Sequence, residues 1–178
     1  RCQTSLSALE LEHEEEKGKL YFIKYPFAKT PNSHAYRQAG KLQTPDFITV
    51  ATTRPETMLG DTAVAVNPND ERYKDLIGKR VILPIVGREI LIIADESIEK
   101  EFGTGAVKVT PNHSMIDSEI ADRHNLPRVT IINTYGKMTD DAGKDFAGLS
   151  TQDARDKIVA ELGKQNLIEK IEEHTHRV

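Results

Sequence analysis

The residues most capable of chemistry in this sequence lie in a short threonine-rich turn, residues 52–57. Thr52, Thr53, Arg54 and Thr57 directly follow an apolar, β-branched run at 47–50. A guanidinium beside several hydroxyls suits a site that binds a small polar ligand next to a phosphate or a carboxylate. We therefore take the threonine-rich turn as the first candidate site.

A second group of such residues lies at 102–117. A Gly-Thr-Gly segment, whose glycines allow close backbone approach or positive φ, precedes an apolar run that carries Lys108. The chain then turns at a proline into a predicted helix, close to His113 and Asp117. A lysine, a histidine and a carboxylate are thus expected near one strand end.

Each of these three residues also has a structural interpretation. Ser114 and Asp117 have the spacing of a capping box, so Asp117 could hold a helix N-terminus. Lys108 could point to solvent from the open face of its strand. His113, next to a helix start, could be a hydrogen-bonded structural residue. The residue pattern alone leaves these alternatives open.

The elements that must position these groups are mostly short strands. Aromatic and β-branched runs bounded by turn residues predict strands, and apolar residues at helical spacing predict helices. We expect strands at 19–25, 46–53, 62–66, 80–83, 89–94, 106–110 and 128–133, and helices at 70–76, 115–124 and 151–163.

This pattern predicts a mixed, β-rich α/β fold, with a β-barrel-like core of short strands and a few peripheral helices. Pro55 suits the first residue of a short helix or turn, and Ser150 with Asp153 suits a helix cap. The polar residues 28–45 are expected to form an exposed loop or an irregular hairpin.

Composition limits the class of protein. With 178 residues and 38% hydrophobic residues, the chain is expected to form one domain, 1–178. It has no apolar run of about 20 residues and no signal-peptide pattern, which predicts a cytoplasmic protein without a membrane partner. A net charge of −4 argues against a free-standing nucleic-acid binder with a broad basic face. Any contact with nucleic acid should therefore be local or helped by other domains. Because it opens on Arg1, we expect an excised piece of a longer protein.

Three strings then suggest a family. They are ATTRPETMLGDTAVAVNPNDERY (51–73), LIGKRVILPIVGREILIIAD (76–95) and EFGTGAVKVTPNH (101–113). Together they resemble the editing domain of valyl-tRNA synthetases, class I enzymes, over nearly the whole chain. Isoleucyl and leucyl enzymes carry related segments, but ETMLGD (56–61) resembles the valyl branch.

The resemblance implies hydrolysis of threonyl-tRNA(Val) to free threonine and tRNA. The expected partners are the 3′ acceptor end of that tRNA and the remainder of a parent synthetase. The sequence contains no nucleophile elbow and no HExxH segment, and His174 and His176, on one predicted strand face, lack further ligands. We therefore expect direct attack by water, with no metal and no cofactor.

The resemblance also assigns roles to individual residues. Asp117 would bind the substrate α-amino group, and Lys108 would assist at the ester. Phe102 would stack on a terminal base and Glu99 would contact ribose or base edges. The remaining expected contacts with the substrate, the water or the terminal adenosine are Thr52, Thr53, Arg54, Thr57, Thr110, His113 and Ser114.

Ser114 departs from the family pattern, which has aspartate at that position. Serine is also a good N-cap, so the helix start could persist while the pocket loses a negative charge. Two further interpretations therefore stay open beside hydrolysis in a valyl or isoleucyl enzyme. One is a catalytically weak module that binds the tRNA acceptor end, and the other is a structural insertion.

Overall fold

In the computed structural model, residues 15–28 and 46–177 are described. The predicted loop at 28–45 lies outside them except for its first residue. The strands are β1 Glu15–Pro26, β2 Phe47–Thr52, β3 Ala63–Val66, β4 Arg80–Ile82, β5 Glu89–Ala94, β6 Ala106–Val109 and β7 Ile168–Arg177. The helices are α1 Met115–His124 and α2 Thr151–Lys164, with 3-10 turns at Pro55–Gly60, Lys74–Leu76 and Asp140–Ala142.

The strands form two sheets. The first has the order β2-β1-β7, with antiparallel pairs. The second has the order β4-β5-β3-β6, in which β3 is parallel to β5 and antiparallel to β6. An isolated bridge between Phe27 and Val81 joins them. The mixed, β-rich class is as predicted, but within the described residues neither sheet closes into a barrel.

Strand β3 separates two apolar clusters. Val64 and Val66 belong to a large cluster that includes residues of both sheets and of α2, whereas Ala63 and Ala65 pack with Ile120 of α1. This alternation follows from the two-residue period of a strand. Helices α1 and α2 therefore belong to opposite faces of the second sheet.

Both helices begin at predicted caps. The Ser114 hydroxyl accepts a hydrogen bond from the Asp117 backbone N–H at 3.2 Å, and Ser150 accepts one from Asp153 at 3.1 Å. Each cap satisfies a backbone donor at the first turn that has no partner within the helix. Within the described residues, the helices are too short or too polar to cross a membrane.

Two predicted elements are wrong. The expected strand at 128–133 is reduced to a single bridge between Ile132 and Met138, because the Ile131 N–H donates to the His113 ring instead of a neighbouring strand. The expected helix at 70–76 contains only the 3-10 turn at its end. The Asp70 carboxylate accepts from the Arg72 backbone N–H and guanidinium, which stabilises a turn in place of a helix.

For the end of the chain, the sequence predicts a strand only in so far as His174 and His176 would share one strand face. The structure has strand β7 there. It pairs with β1 along most of its length, with Glu15 opposite Arg177. Its charged residues conceal the period-two pattern by which a strand is predicted, since four of the six residues at 169–174 are charged. Its position in the sheet comes from pairing with β1.

The turn before β6 depends on Gly105. Its φ is +77°, and an added Cβ would lie 2.5 Å from Arg72 Nη2 and 2.7 Å from the Lys100 carbonyl oxygen. We expect Gly105→Ala to lower the free energy of unfolding by about 2 to 5 kcal/mol, from the left-handed backbone and overpacking together.

Gly136→Ala is a matched control, because its φ is +72° and nothing lies within 4 Å of the added Cβ. Its expected loss is about 1 to 2 kcal/mol, from the backbone alone. Urea unfolding of both variants measures the difference. Equal losses would show that the contacts around Gly105 have no energetic importance.

Candidate functional site

The candidate site is built around the Lys108 side chain. Lys108 lies opposite Val64 in the β3–β6 ladder, which places it on the face of the large apolar cluster, and its side chain is only 9% exposed. The interpretation that it points to solvent is therefore wrong. Its Nζ lies 2.7 Å from Thr57 Oγ1, 2.7 Å from Thr110 Oγ1 and 3.3 Å from Asp61 Oδ1. An ammonium has three hydrogens, so each has an acceptor in the protein.

Asp61 is the counter-ion of this lysine and is completely buried. Its Oδ1 also accepts from Thr110 Oγ1 at 2.6 Å, and its Oδ2 accepts from the Tyr25 hydroxyl at 2.7 Å. Burial raises the pKa of Asp61, and Lys108 with these hydrogen bonds opposes that rise. Burial and the adjacent Asp61 also raise the pKa of Tyr25 well above 10.

Tyr25 and Asp61 were not among the predicted site residues. One signal in the sequence points to Asp61: a lysine in a buried strand requires a counter-charge. Asp61 lies directly between the threonine-rich turn and the apolar strand β3. No comparable signal identifies Tyr25, which reads as one of several aromatic residues in β1.

The threonine-rich turn is held by its own hydroxyls. Thr52 Oγ1 accepts from the Arg54 backbone N–H at 3.1 Å, and Thr57 Oγ1 donates to the Arg54 carbonyl at 2.9 Å. Thr53 is half-buried beside them. The Arg54 guanidinium is about half exposed, 3.3 Å from Glu56 Oε1 and 3.5 Å from the His113 carbonyl oxygen. The threonine-rich turn forms one wall of the candidate site, and Arg54 is the solvent-facing charge of that wall.

The opposite wall is the end of β6 and the start of α1. Asp117 Oδ2 accepts from the Thr110 backbone N–H at 2.8 Å, while the Asp117 backbone N–H is capped by Ser114. The capping interpretation of Ser114 is confirmed. The Asp117 side chain, however, points back to the strand end and is therefore more than part of a cap.

His113 belongs to the opposite wall, between the end of β6 and the start of α1. Its Nε2 accepts from the Ile131 N–H at 3.1 Å, which requires a neutral ring with its proton on Nδ1. Burial, and then the positive charges of Arg54 and Lys108, lower the pKa of His113. The interpretation of His113 as a hydrogen-bonded structural residue is confirmed, and its carbonyl contact with Arg54 joins the walls.

Phe102 and Glu99 lie outside this hydrogen-bonded network as the structure describes it. Both side chains are exposed, Phe102 by 52%. An added Cβ on Gly103 would lie 2.8 Å from the Ala51 side chain, so the turn that carries Phe102 packs on the end of β2. Phe102 is therefore near the threonine-rich turn.

A second buried carboxylate, Glu56, anchors the threonine-rich turn to α2. Arg155 donates to it from Nε at 2.9 Å and from Nη2 at 3.0 Å, and Glu56 is 1% exposed. The sequence did not predict this pair, because its members are far apart along the chain and α2 reads as an ordinary amphipathic helix. The turn is thus held by α2 on one side and by Lys108 on the other.

At its other end, α1 is fastened to the second sheet through Asp95. Arg123 donates to both carboxylate oxygens at 3.0 Å, and His124 Nε2 lies 3.0 Å from Oδ2. Although burial raises the pKa of Asp95, hydrogen bonds from Ser97, Arg123 and His124 hold it at about 2. Among the described residues, no group of three or more His, Cys, Asp or Glu side chains could hold a metal ion.

Relatives found by sequence match this chain over its whole length or nearly so. Valine–tRNA ligases of Staphylococcus epidermidis and Thermotoga maritima are 51% and 50% identical over 178 residues, which is 100% of this chain and 19% of each relative. That of Aquifex aeolicus is 53% identical over 188 residues, covering 99% of this chain and 15% of the relative. No protein-family model matches the chain.

Along its whole length, the chain is thus similar to one segment of the valyl-tRNA synthetases. It spans less than a fifth of the length of these relatives. In the comparison of folds, the crystal structure of GlLeuRS-CP1 matches 86% of this chain and 98% of its own length, with a TM-score of 0.61 and 18% identity. This likeness shows the fold alone: the two chains share their overall arrangement of strands and helices.

The lowered pKa of His113 predicts that the stability of this chain depends on pH. Because the folded state disfavours the protonated ring, the unfolded chain binds more protons as the pH falls through about 6.5, and stability falls with it. His113→Gln keeps an acceptor near the Ile131 N–H but does not titrate. Urea unfolding at about pH 7 and about pH 5 should show a smaller loss in the variant. Equal losses would contradict this assignment.

Proposed function

We propose that this chain is the editing domain of a valine–tRNA ligase and hydrolyses the ester that joins threonine to tRNA(Val). Residues 1–178 would form this one domain, and the rest of the synthetase would be its covalent partner. The observation that supports the proposal best is the pairing of the two walls through Lys108, which places hydroxyls, an ammonium and a carboxylate behind an exposed arginine. The expected cytoplasmic location stays a prediction.

The substrate pair explains why such a site is needed. Threonine and valine have nearly the same shape, and valyl-tRNA synthetase is itself the standard example of an apolar pocket that rejects the added hydroxyl by only about a hundredfold. A polar site can select in the opposite direction. If valine entered, the hydrogen-bonding groups of the site would be left without partners, at a cost of about 1 to 3 kcal/mol each.

Each residue of the site would have a distinct role in binding the substrate or in hydrolysis. Asp117 would bind the α-ammonium group of the substrate, and Arg54 would bind a phosphate or ribose oxygen of the terminal adenosine. The fixed charge of Lys108 would stabilise the oxyanion that forms when water attacks the ester. Thr52, Thr53 and Thr57 would line the wall that binds the substrate and the water. Phe102 and Glu99 would contact the 3′ end of the tRNA.

The direct test is deacylation of preformed threonyl- and valyl-tRNA(Val) by the synthetase that carries this chain. We expect hydrolysis of the threonyl ester and survival of the valyl ester. Binding of both without turnover would favour the passive acceptor-end module, to which Ser114 gives some support. Neither binding nor hydrolysis would favour a structural insertion.

Substitution of Asp117 tests the assigned role. Asp117→Asn keeps an acceptor for the Thr110 N–H and removes the charge, whereas Asp117→Ala removes both. We expect each to slow threonyl-tRNA hydrolysis by about 10- to 100-fold, the effect of losing one charged hydrogen bond. Glu119→Ala, an exposed acid on the same helix, is the matched control and should hydrolyse at the wild-type rate. Full activity of Asp117→Ala would show that Asp117 does not bind the substrate.

A further inference from the structure

The two walls of the candidate site share one physical link. Lys108 Nζ reaches Thr57 on one side and Thr110 on the other. Thr57 in turn holds the Arg54 carbonyl, and the Thr110 backbone N–H holds the Asp117 carboxylate. The position of a single ammonium therefore sets the separation between the arginine wall and the aspartate wall.

A lysine does not fix that position by itself. Its charge sits on a flexible four-carbon stem, and a charge without a partner is strongly disfavoured where Lys108 lies. Asp61 supplies the opposite charge from a completely buried position. Its second oxygen is held by the Tyr25 hydroxyl, on a strand of the other sheet, so the carboxylate is anchored from both sheets.

Asp61 also determines the direction of the hydrogen bonds around it. An ionised carboxylate only accepts and an ammonium only donates, so the Thr110 hydroxyl must give its hydrogen to Asp61 while it accepts from Lys108. The Thr57 hydroxyl likewise accepts from Lys108 and gives its hydrogen to the Arg54 carbonyl. Both hydroxyls are left with only lone pairs, so a ligand group that reaches them must donate, as the hydroxyl of threonine does.

We propose that Asp61 is a positioning residue of this site, which fixes the Lys108 ammonium and the Thr110 hydroxyl so that the two walls receive the threonyl ester in one geometry. Tyr25 supports it by holding the second carboxylate oxygen. Asp61 does not touch the reacting atoms. The inference rests on the proposed function, because it assumes that the two walls bind that ester.

The test compares Asp61→Asn, Lys108→Met and the double variant in the synthetase. Kinetics of threonyl-tRNA(Val) deacylation give kcat and KM, and urea unfolding gives stability. Asp61→Asn should lower kcat by about 10- to 100-fold with a smaller change in KM, as misplacement of a binding wall does. The double variant buries no unpaired charge, so its stability should exceed that of Lys108→Met. Its kcat should stay as low as that of Lys108→Met.

A purely structural pair would give a different result. The kcat of the double variant would then recover together with its stability, and this would overturn the inference. Wild-type turnover by a folded Asp61→Asn enzyme would overturn it as well. A wild-type enzyme that leaves threonyl-tRNA intact would refute the proposed function and this inference together, whereas an active wild type with unaffected variants would refute the inference alone.

A milder pair of variants applies if Asp61→Asn does not fold. Tyr25→Phe removes only the hydroxyl that holds Asp61 Oδ2, and should lower kcat by about two- to tenfold, as loss of one hydrogen bond does. Tyr73→Phe is its matched control, because that hydroxyl donates to the Thr104 carbonyl oxygen outside the network. Equal kcat values for the two variants would contradict the positioning role.

Discussion

The buried pair of Lys108 and Asp61 is the constraint on which the site depends. Strand register places the lysine on the apolar face of the second sheet, where a charge is stable only with a counter-ion and acceptors for its hydrogens. Asp61, Thr57 and Thr110 meet that demand. Because these residues come from two segments of the chain, 57–61 and 108–110, satisfying one ammonium brings those segments together.

The topology makes this meeting possible. Strand β3 has α1 on one face and the large cluster, with α2, on the other. Two buried carboxylates fasten these helices: Glu56 binds Arg155 of α2, and Asp95 binds Arg123 of α1. The Glu56 pair lies directly behind the threonine-rich turn, whereas the Asp95 pair holds the far end of the helix whose start contributes to the site. Such support is what holds a binding site to one geometry.

The comparisons fit this division between framework and chemistry. The likeness to GlLeuRS-CP1 holds at 18% identity, a level at which an arrangement of sheets and helices is retained although most side chains differ. The valine–tRNA ligases, at about 50% identity, match the chain along its whole length. The likeness to GlLeuRS-CP1 shows the fold alone, so the function of this chain has to be argued from its own polar network.

Local signals in the sequence determined the elements with strong patterns. The caps at Ser114 and Ser150, the start of the 3-10 turn at Pro55 and the boundaries of α1 follow from residue type and short-range hydrogen bonds. The same signals failed where a distant partner decides. Residues 128–133 look like a strand, but the Ile131 N–H donates to the His113 ring. Strand β7 is too rich in charged residues to be predicted from its sequence, and its place in the sheet comes from pairing with β1.

The same distinction holds for the site. The sequence by itself determined which residues could do chemistry in the threonine-rich turn and at 102–117, because hydroxyl, guanidinium, ammonium and carboxylate groups are properties of residue type. Only the tertiary structure decided that Lys108 points inward, that Asp61 and Tyr25 belong with it, and that Glu56 binds Arg155. The physical reason is that burial and charge pairing depend on strand register and on contacts between residues far apart in the chain, which no local pattern encodes.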